Sequence, residues 1–142
     1  NGCGSSMKEG DMAQASGYDF PVISGGNVQE AGASFADATF GDVSVREEQL
    51  FEDIGKDWRK GEWGAQVGTV RLKQTPTTVP GRILVWASFV FDDGDTVEYA
   101  GLVPGEGSWQ GKGRLGYRGG TGKFAAPRGE LDVDSTNPKR WG

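Results

Sequence analysis

The sequence predicts an all-β fold, an antiparallel barrel or sandwich, on three observations. Six or more short runs of β-branched and aromatic residues recur at close spacing, separated by turn residues. The 142 residues include 25 Gly and 6 Pro, and glycine costs about 1 kcal/mol per helix-interior position relative to alanine. Five Trp, three Tyr and seven Phe supply the packing surface that a disordered chain lacks. The length fits one domain and is enough to bury a core without disulfide staples.

Residues 1–17 are small and polar, as in a flexible terminus or an expression scar. Residues 18–42 mix Tyr18, Phe20, Phe35 and Phe40 with Gly, Ala and Asp, and predict an irregular arm or lid packed on the main body. The barrel domain is placed at 43–134 and a C-terminal tail at 135–142. Residues 42–54 fit either a strand, from the even spacing of Val43, Val45 and Phe51, or a helix, from their acids and Leu50. Residues 64–73 alternate as a strand does, and Thr75-Pro76 with Val79-Pro80-Gly81 marks a loop. Arg82–Phe91 is the most strand-like run and ends at Asp92-Asp93-Gly94-Asp95, a hairpin turn signal. Residues 95–102 are its natural partner. Residues 108–118 and 124–133 follow, broken by Gly119-Gly120-Thr121-Gly122.

Charge and composition exclude several chemistries. The formal charge is −5, and the excess lies in residues 1–45, which hold one Lys against six carboxylates. No basic face for a phosphate backbone is evident, so no nucleic-acid partner is expected. There is no His, which removes imidazole acid–base chemistry and His-dependent triads. A single Cys excludes an intramolecular disulfide framework and a Cys-rich metal site. No apolar run reaches the roughly 18 residues of a membrane span. Neither a cofactor nor a metal is expected. With no leader in view the expected compartment is the cytoplasm; the alternative is export with a lipid anchor at Cys3, whose Gly-Cys-Gly-Ser-Ser surroundings are similar to a bacterial lipoprotein cysteine.

Two glycine patterns fail on context. Gly111-Lys112-Gly113-Arg114-Leu115-Gly116 lacks the preceding apolar strand and following helix of a dinucleotide site. Gly119-Gly120-Thr121-Gly122-Lys123 has Phe124 where a phosphate loop needs Ser or Thr on magnesium. The acids Glu47, Glu48, Glu52, Asp53 and Asp57 read mainly as a solvated face; on a strand, Glu52 and Asp53 point to opposite sides, so only one can face a cavity. About half of the aromatics on a closed sheet point inward.

The later strands resemble the barrel of allene oxide cyclases and dirigent proteins. Gly119-Gly120-Thr121-Gly122-Lys123-Phe124 with Arg128-Gly129 is similar to a glycine-rich block of both families. Ser88–Gly94 followed by Thr96–Gly101 resembles their preceding hairpin, Phe51-Glu52-Asp53-Ile54 a first-strand motif, and Gln66–Thr69 the second strand. The likeness covers residues 43–134. It implies a small antiparallel up-and-down β-barrel of about eight strands, able to hold one small ligand.

The resemblance also implies site residues. Arg128 and Asp53 match the cavity pair of dirigents, and Glu52 or Asp53 matches the first-strand acid of allene oxide cyclases. The cyclase Asn has no counterpart, because Ile54 and Gly55 stand there. Bacterial polyketide cyclases with a similar barrel close spiro or decalin rings by cycloaddition without cofactors, and this branch fits best. The expected function is therefore a cofactor-free cyclase, an isomerase of Diels–Alder type, acting on a small, apolar, conjugated intermediate in an apolar cavity. Arg128, Asp53 and Glu52 are its candidate catalytic residues; Trp86, Phe51, Tyr99, Trp109, Tyr117 and Phe124 are its candidate walls. The alternatives are a dirigent-type protein steering phenoxy-radical coupling and a non-catalytic ligand-binding barrel. A homo-oligomer, dimer or trimer, is implied by the same families.

Overall fold

The computed structural model describes residues 18–29, 35–37, 41–106, 109–135 and 138–142. Among the described residues nine strands are formed: β1 (Val22–Gln29), β2 (Phe35–Asp37), β3 (Gly41–Glu52), β4 (Gln66–Pro76), β5 (Arg82–Phe91), β6 (Thr96–Pro104), β7 (Lys112–Gly120), β8 (Leu131–Asp134) and β9 (Lys139–Trp141). All pairings are antiparallel, in the order β1-β9-β8-β7-β6-β5-β4-β3, and β3 pairs back onto β1. These eight strands close an up-and-down barrel, and β2 adds outside the ring on β3. Among the described residues the helical segments are two 3-10 turns, Trp58–Lys60 and Gly122–Phe124, and no helix is long and apolar enough to cross a membrane.

Alternation sets the two faces. Along β5, Ile83, Val85, Ala87, Phe89 and Phe91 are buried inside, while Leu84, Trp86, Ser88 and Val90 lie outside. Their cross-strand partners Val97, Tyr99 and Val103 on β6 and Val70 and Leu72 on β4 share the interior. Gly68 faces Phe91 across β4 and β5, and a β-carbon there would stand 2.3 Å from the Val90 carbonyl oxygen. The β5–β6 hairpin turns at Gly94, whose φ of 95° suits glycine, and whose amide donates to the Phe91 carbonyl at 3.0 Å.

The sequence boundaries need correction at both ends. The barrel does not start at residue 43: Val22–Gln29, assigned to the arm, is a strand of the ring, paired with both β9 and β3. Nor does it end at 134, because Lys139–Trp141 pairs with both β1 and β8. The stretch read as strand or helix is strand from Gly41 to Glu52, and Asp53 and Ile54 lie just beyond it. Strand β4 runs through Thr75-Pro76, where a loop was expected. The last predicted strand, 124–133, shrinks to Leu131–Asp134, preceded by a 3-10 turn. Segment 1–17, with Cys3, lies outside the described residues.

Candidate functional site

One end of the barrel is closed by the residues just before β1. Phe20 inserts its ring among four interior aromatics, with centroid distances of 5.0 Å to Phe89, 5.8 Å to Phe91, 5.7 Å to Tyr99 and 6.0 Å to Phe124. These contacts are edge-on, the favourable arrangement for aromatic quadrupoles. Two polar ties hold the segment down. The Tyr18 amide donates to the Asp93 carboxylate at 3.1 Å. Arg128 grips Asp19 with both terminal nitrogens, at 2.7 and 3.0 Å, and its guanidinium lies 4.5 Å from the Phe124 ring centroid. The bidentate bond to Asp19 holds the Arg128 pKa above its ordinary value, so this cation is fixed.

Beneath this end the interior is not purely apolar. Glu48, 2 % exposed, and Lys139, 7 % exposed, form an ion pair of 2.7 Å inside the barrel. The Ser24 hydroxyl donates to the other Glu48 oxygen at 2.6 Å and accepts from the Trp141 indole N–H at 2.8 Å. Trp141, fully buried, packs edge-on against Phe89 at 5.0 Å and faces Trp109 at 5.7 Å. Glu48, Lys139, Ser24 and the Trp141 N–H each have a partner, as burial demands. Glu48 is thus a correction: it is no part of a solvated face.

The predicted site residues divide between the two faces. Tyr99, Tyr117, Phe124 and Trp109 belong to the interior or pack against it. The Tyr117 hydroxyl donates to the Phe124 carbonyl at 2.6 Å, and burial pushes the Tyr99 phenol pKa up. Trp86 and Phe51 do not line a cavity. Trp86 is on the outer wall, its indole N–H bonded to Glu98 at 2.7 Å, with the Arg118 guanidinium 5.6 Å from its ring. Phe51 lies under Trp63 at 4.8 Å, in the loop that follows β3.

Arg128 and the two first-strand acids are not brought together. Asp53 accepts from Arg140 Nε at 2.8 Å and from the Gly55 amide at 2.9 Å. Arg140 alternates with the inward Lys139 and Trp141, so this pair sits on the outer wall. Glu52 is exposed, its Oε1 accepting from the Ala65 amide at 3.3 Å. The acid partner of Arg128 is instead Asp19, from the segment before β1. Sequence reasoning missed Asp19, Phe20, Ser24, Glu48, Lys139 and Trp141. The signal for Glu48 was available: it shares the parity of Leu50, which has to face inward.

The outer wall also carries a groove of about 840 Å3 lined by Trp58, Arg59, Arg82, Leu102, Arg114 and Asp132, among others. Its acids are engaged: Asp134 with Arg59 and Asp132 with Arg114, both at 2.7 Å. Exposed pairs of this kind contribute little to stability.

Two carboxylates make the fold acid-sensitive. Burial alone would raise the pKa of Asp53, but the Gly55 amide and the Arg140 guanidinium outweigh it and hold the group below its ordinary 3.8. Asp93 is likewise lowered: desolvation opposes, and Lys123 with the Asp95 and Tyr18 amides prevails. A depressed folded pKa contributes stability that is complete above 3.8 and is lost as pH falls through the folded value. Wild-type protein should therefore lose stability to urea more steeply below about pH 4 than the Asp53→Asn, Asp93→Asn double variant, which starts lower at neutral pH. Parallel pH profiles for the two proteins would refute this assignment.

No family model matches the chain, and no curated protein matches it significantly. The fold is a closed eight-stranded antiparallel barrel, with one end stoppered by Phe20 and a charged, hydrogen-bonded cluster within.

Proposed function

We propose that the chain is a cofactor-free cyclase that binds a small, conjugated, largely apolar molecule at the Phe20 end and closes a ring in it. The observation that carries this reading is that one short segment does two things at once. It fills the aromatic end with Phe20 and neutralises Arg128 with Asp19. Lifting residues 18–20 both vacates a space walled by Phe89, Phe91, Tyr99 and Phe124 and frees a guanidinium at its rim.

The chemistry then follows from those groups. Arg128 donates to a carbonyl conjugated with the reacting alkene and stabilises the charge that builds on that oxygen. The aromatic walls hold diene and alkene in register; orientation supplies about 7–11 kcal/mol in favourable cases. In a Diels–Alder closure three π bonds become one π and two σ bonds, so no proton, electron or leaving group has to be handled. Asp53 and Glu52 have no part in this chemistry, because Asp53 is held by Arg140 on the outer wall and Glu52 is exposed.

The test uses a linear trienone whose enone and diene are joined by a saturated tether. Product of unchanged mass, formed faster than in buffer and with one stereochemistry dominant, is the expected result, and Arg128→Ala should slow it by about a hundredfold or more. A rate equal to that in buffer refutes the proposal. One observation favours a second reading, a ligand-binding barrel without chemistry: Asp53 is committed to Arg140, leaving Arg128 with no acid of the wall to work with. That reading expects the trienone to bind and emerge unchanged.

A further inference from the structure

The end of the barrel opposite Phe20 holds a buried polar group unpaired among the described residues. Trp109 is 8 % exposed, and its indole nitrogen is buried with no hydrogen-bond partner among the described residues. Such groups are few in native proteins, and each one calls for an explanation. The backbone of Trp109 is not at fault: its amide donates to the Gln74 side-chain oxygen at 3.2 Å, and it bridges to Gly105. The ring is held from the side by Trp141 at 5.7 Å. The donor is thus fixed in place.

A cation stands on the same interior face. Gln74 pairs with Ser44 on β3, and Arg46, one same-face step along that strand, pairs with the fully buried Leu72. Arg46 is half-buried, and no acid among the described residues pairs with it. The acid nearest along its own face, Glu48, is already neutralised by Lys139. An apolar ring surface, with an N–H and a guanidinium that have no partner among the described residues, together suit one kind of guest.

We propose that this end of the barrel is a binding station for a carboxylate carried on a flat apolar body, with Trp109 Nε1–H as the directional donor and Arg46 as the charge. The station lies at the other end from Arg128 and does not depend on the ring-closing reading. Without a guest the indole N–H is unpaired; with one, the buried donor and the half-buried cation are both satisfied.

The probe is trans-cinnamate, with trans-β-methylstyrene as the comparator that keeps the ring and alkene but lacks the carboxylate. In full-length protein labelled with nitrogen-15, cinnamate should move the Trp109 indole cross-peak downfield in a saturable way. The comparator should leave it in place. Trp109→Phe should weaken cinnamate binding by about fivefold or more, the range expected for one hydrogen bond to a charged group. Arg46→Gln should weaken it by a similar factor and remove its dependence on salt. The wild-type cross-peak is decisive even if Trp109→Phe does not fold. Failure of cinnamate to bind at millimolar concentration, or binding with the Trp109 signal unmoved, overturns the station.

Discussion

Lys139→Met is expected to destabilise the barrel by about 3–5 kcal/mol, because it strands the Glu48 carboxylate inside with its counter-charge removed. For a domain of this size that is a fall in Tm on the order of 10–20 °C. The methionine fills much the same volume as the lysine stem, so a packing defect does not explain the loss. Ser24 still donates to Glu48 at 2.6 Å, but one neutral hydroxyl does not replace an ammonium at 2.7 Å. The control is Lys139→Met combined with Glu48→Leu. Replacing both charges by apolar groups is often neutral or stabilising, so the double variant should recover most of the loss. Thermal and urea unfolding of the three proteins measure it. A single variant within about 1 kcal/mol of wild type would show that the pair is not buried as described.

Phe20→Ala is expected to cost about 2–3 kcal/mol, below the full value for a core phenylalanine because this ring is half-buried. Its second effect separates it from an ordinary core truncation. Four aromatic rings lose the edge that capped them, and the space opens directly to solvent instead of forming a sealed void. An apolar dye such as anilinonaphthalene sulfonate should therefore brighten with the folded variant at neutral pH and not with wild type. Asp19→Asn should produce the dye signal in weaker form, since the Arg128 clasp is lost while the ring remains. Destabilisation without dye binding would mean that the barrel collapses over the gap and that no chamber can be vacated there.

The architecture was legible wherever period and turn chemistry agree. Arg82–Phe91 alternates cleanly and stops at Asp92-Asp93-Gly94-Asp95, and the strand has those bounds. The elements that escaped notice are those with little local preference. Val22–Gln29 holds two adjacent glycines, and Lys139–Trp141 is three residues long; both are strands because neighbours on each side supply hydrogen bonds, a tertiary effect that propensity does not carry. The site was less legible. Arg128 lies at a rim beside the predicted Phe124 and Tyr117, but its acid is Asp19 and not Asp53. Asp19 lies 109 residues away in sequence, and no local pattern announces such a pairing. Parity was informative for Trp86, which alternates with buried Val85 and Ala87 and so has to face out.

The ring is fastened where β1 meets β9, two strands from opposite ends of the described chain. A β-carbon on Gly142 would lie 2.8 Å from the Pro21 Cα, so the two extremities of the cylinder are neighbours. Joining them with a short linker and cutting instead at an exposed hairpin such as Asp92–Asp95 would keep every rung of the ladder. Such a circular permutant should fold to the same cylinder. It would also convert the slowest rung to form, the one bridging the greatest length of chain, into a local hairpin that can zip early.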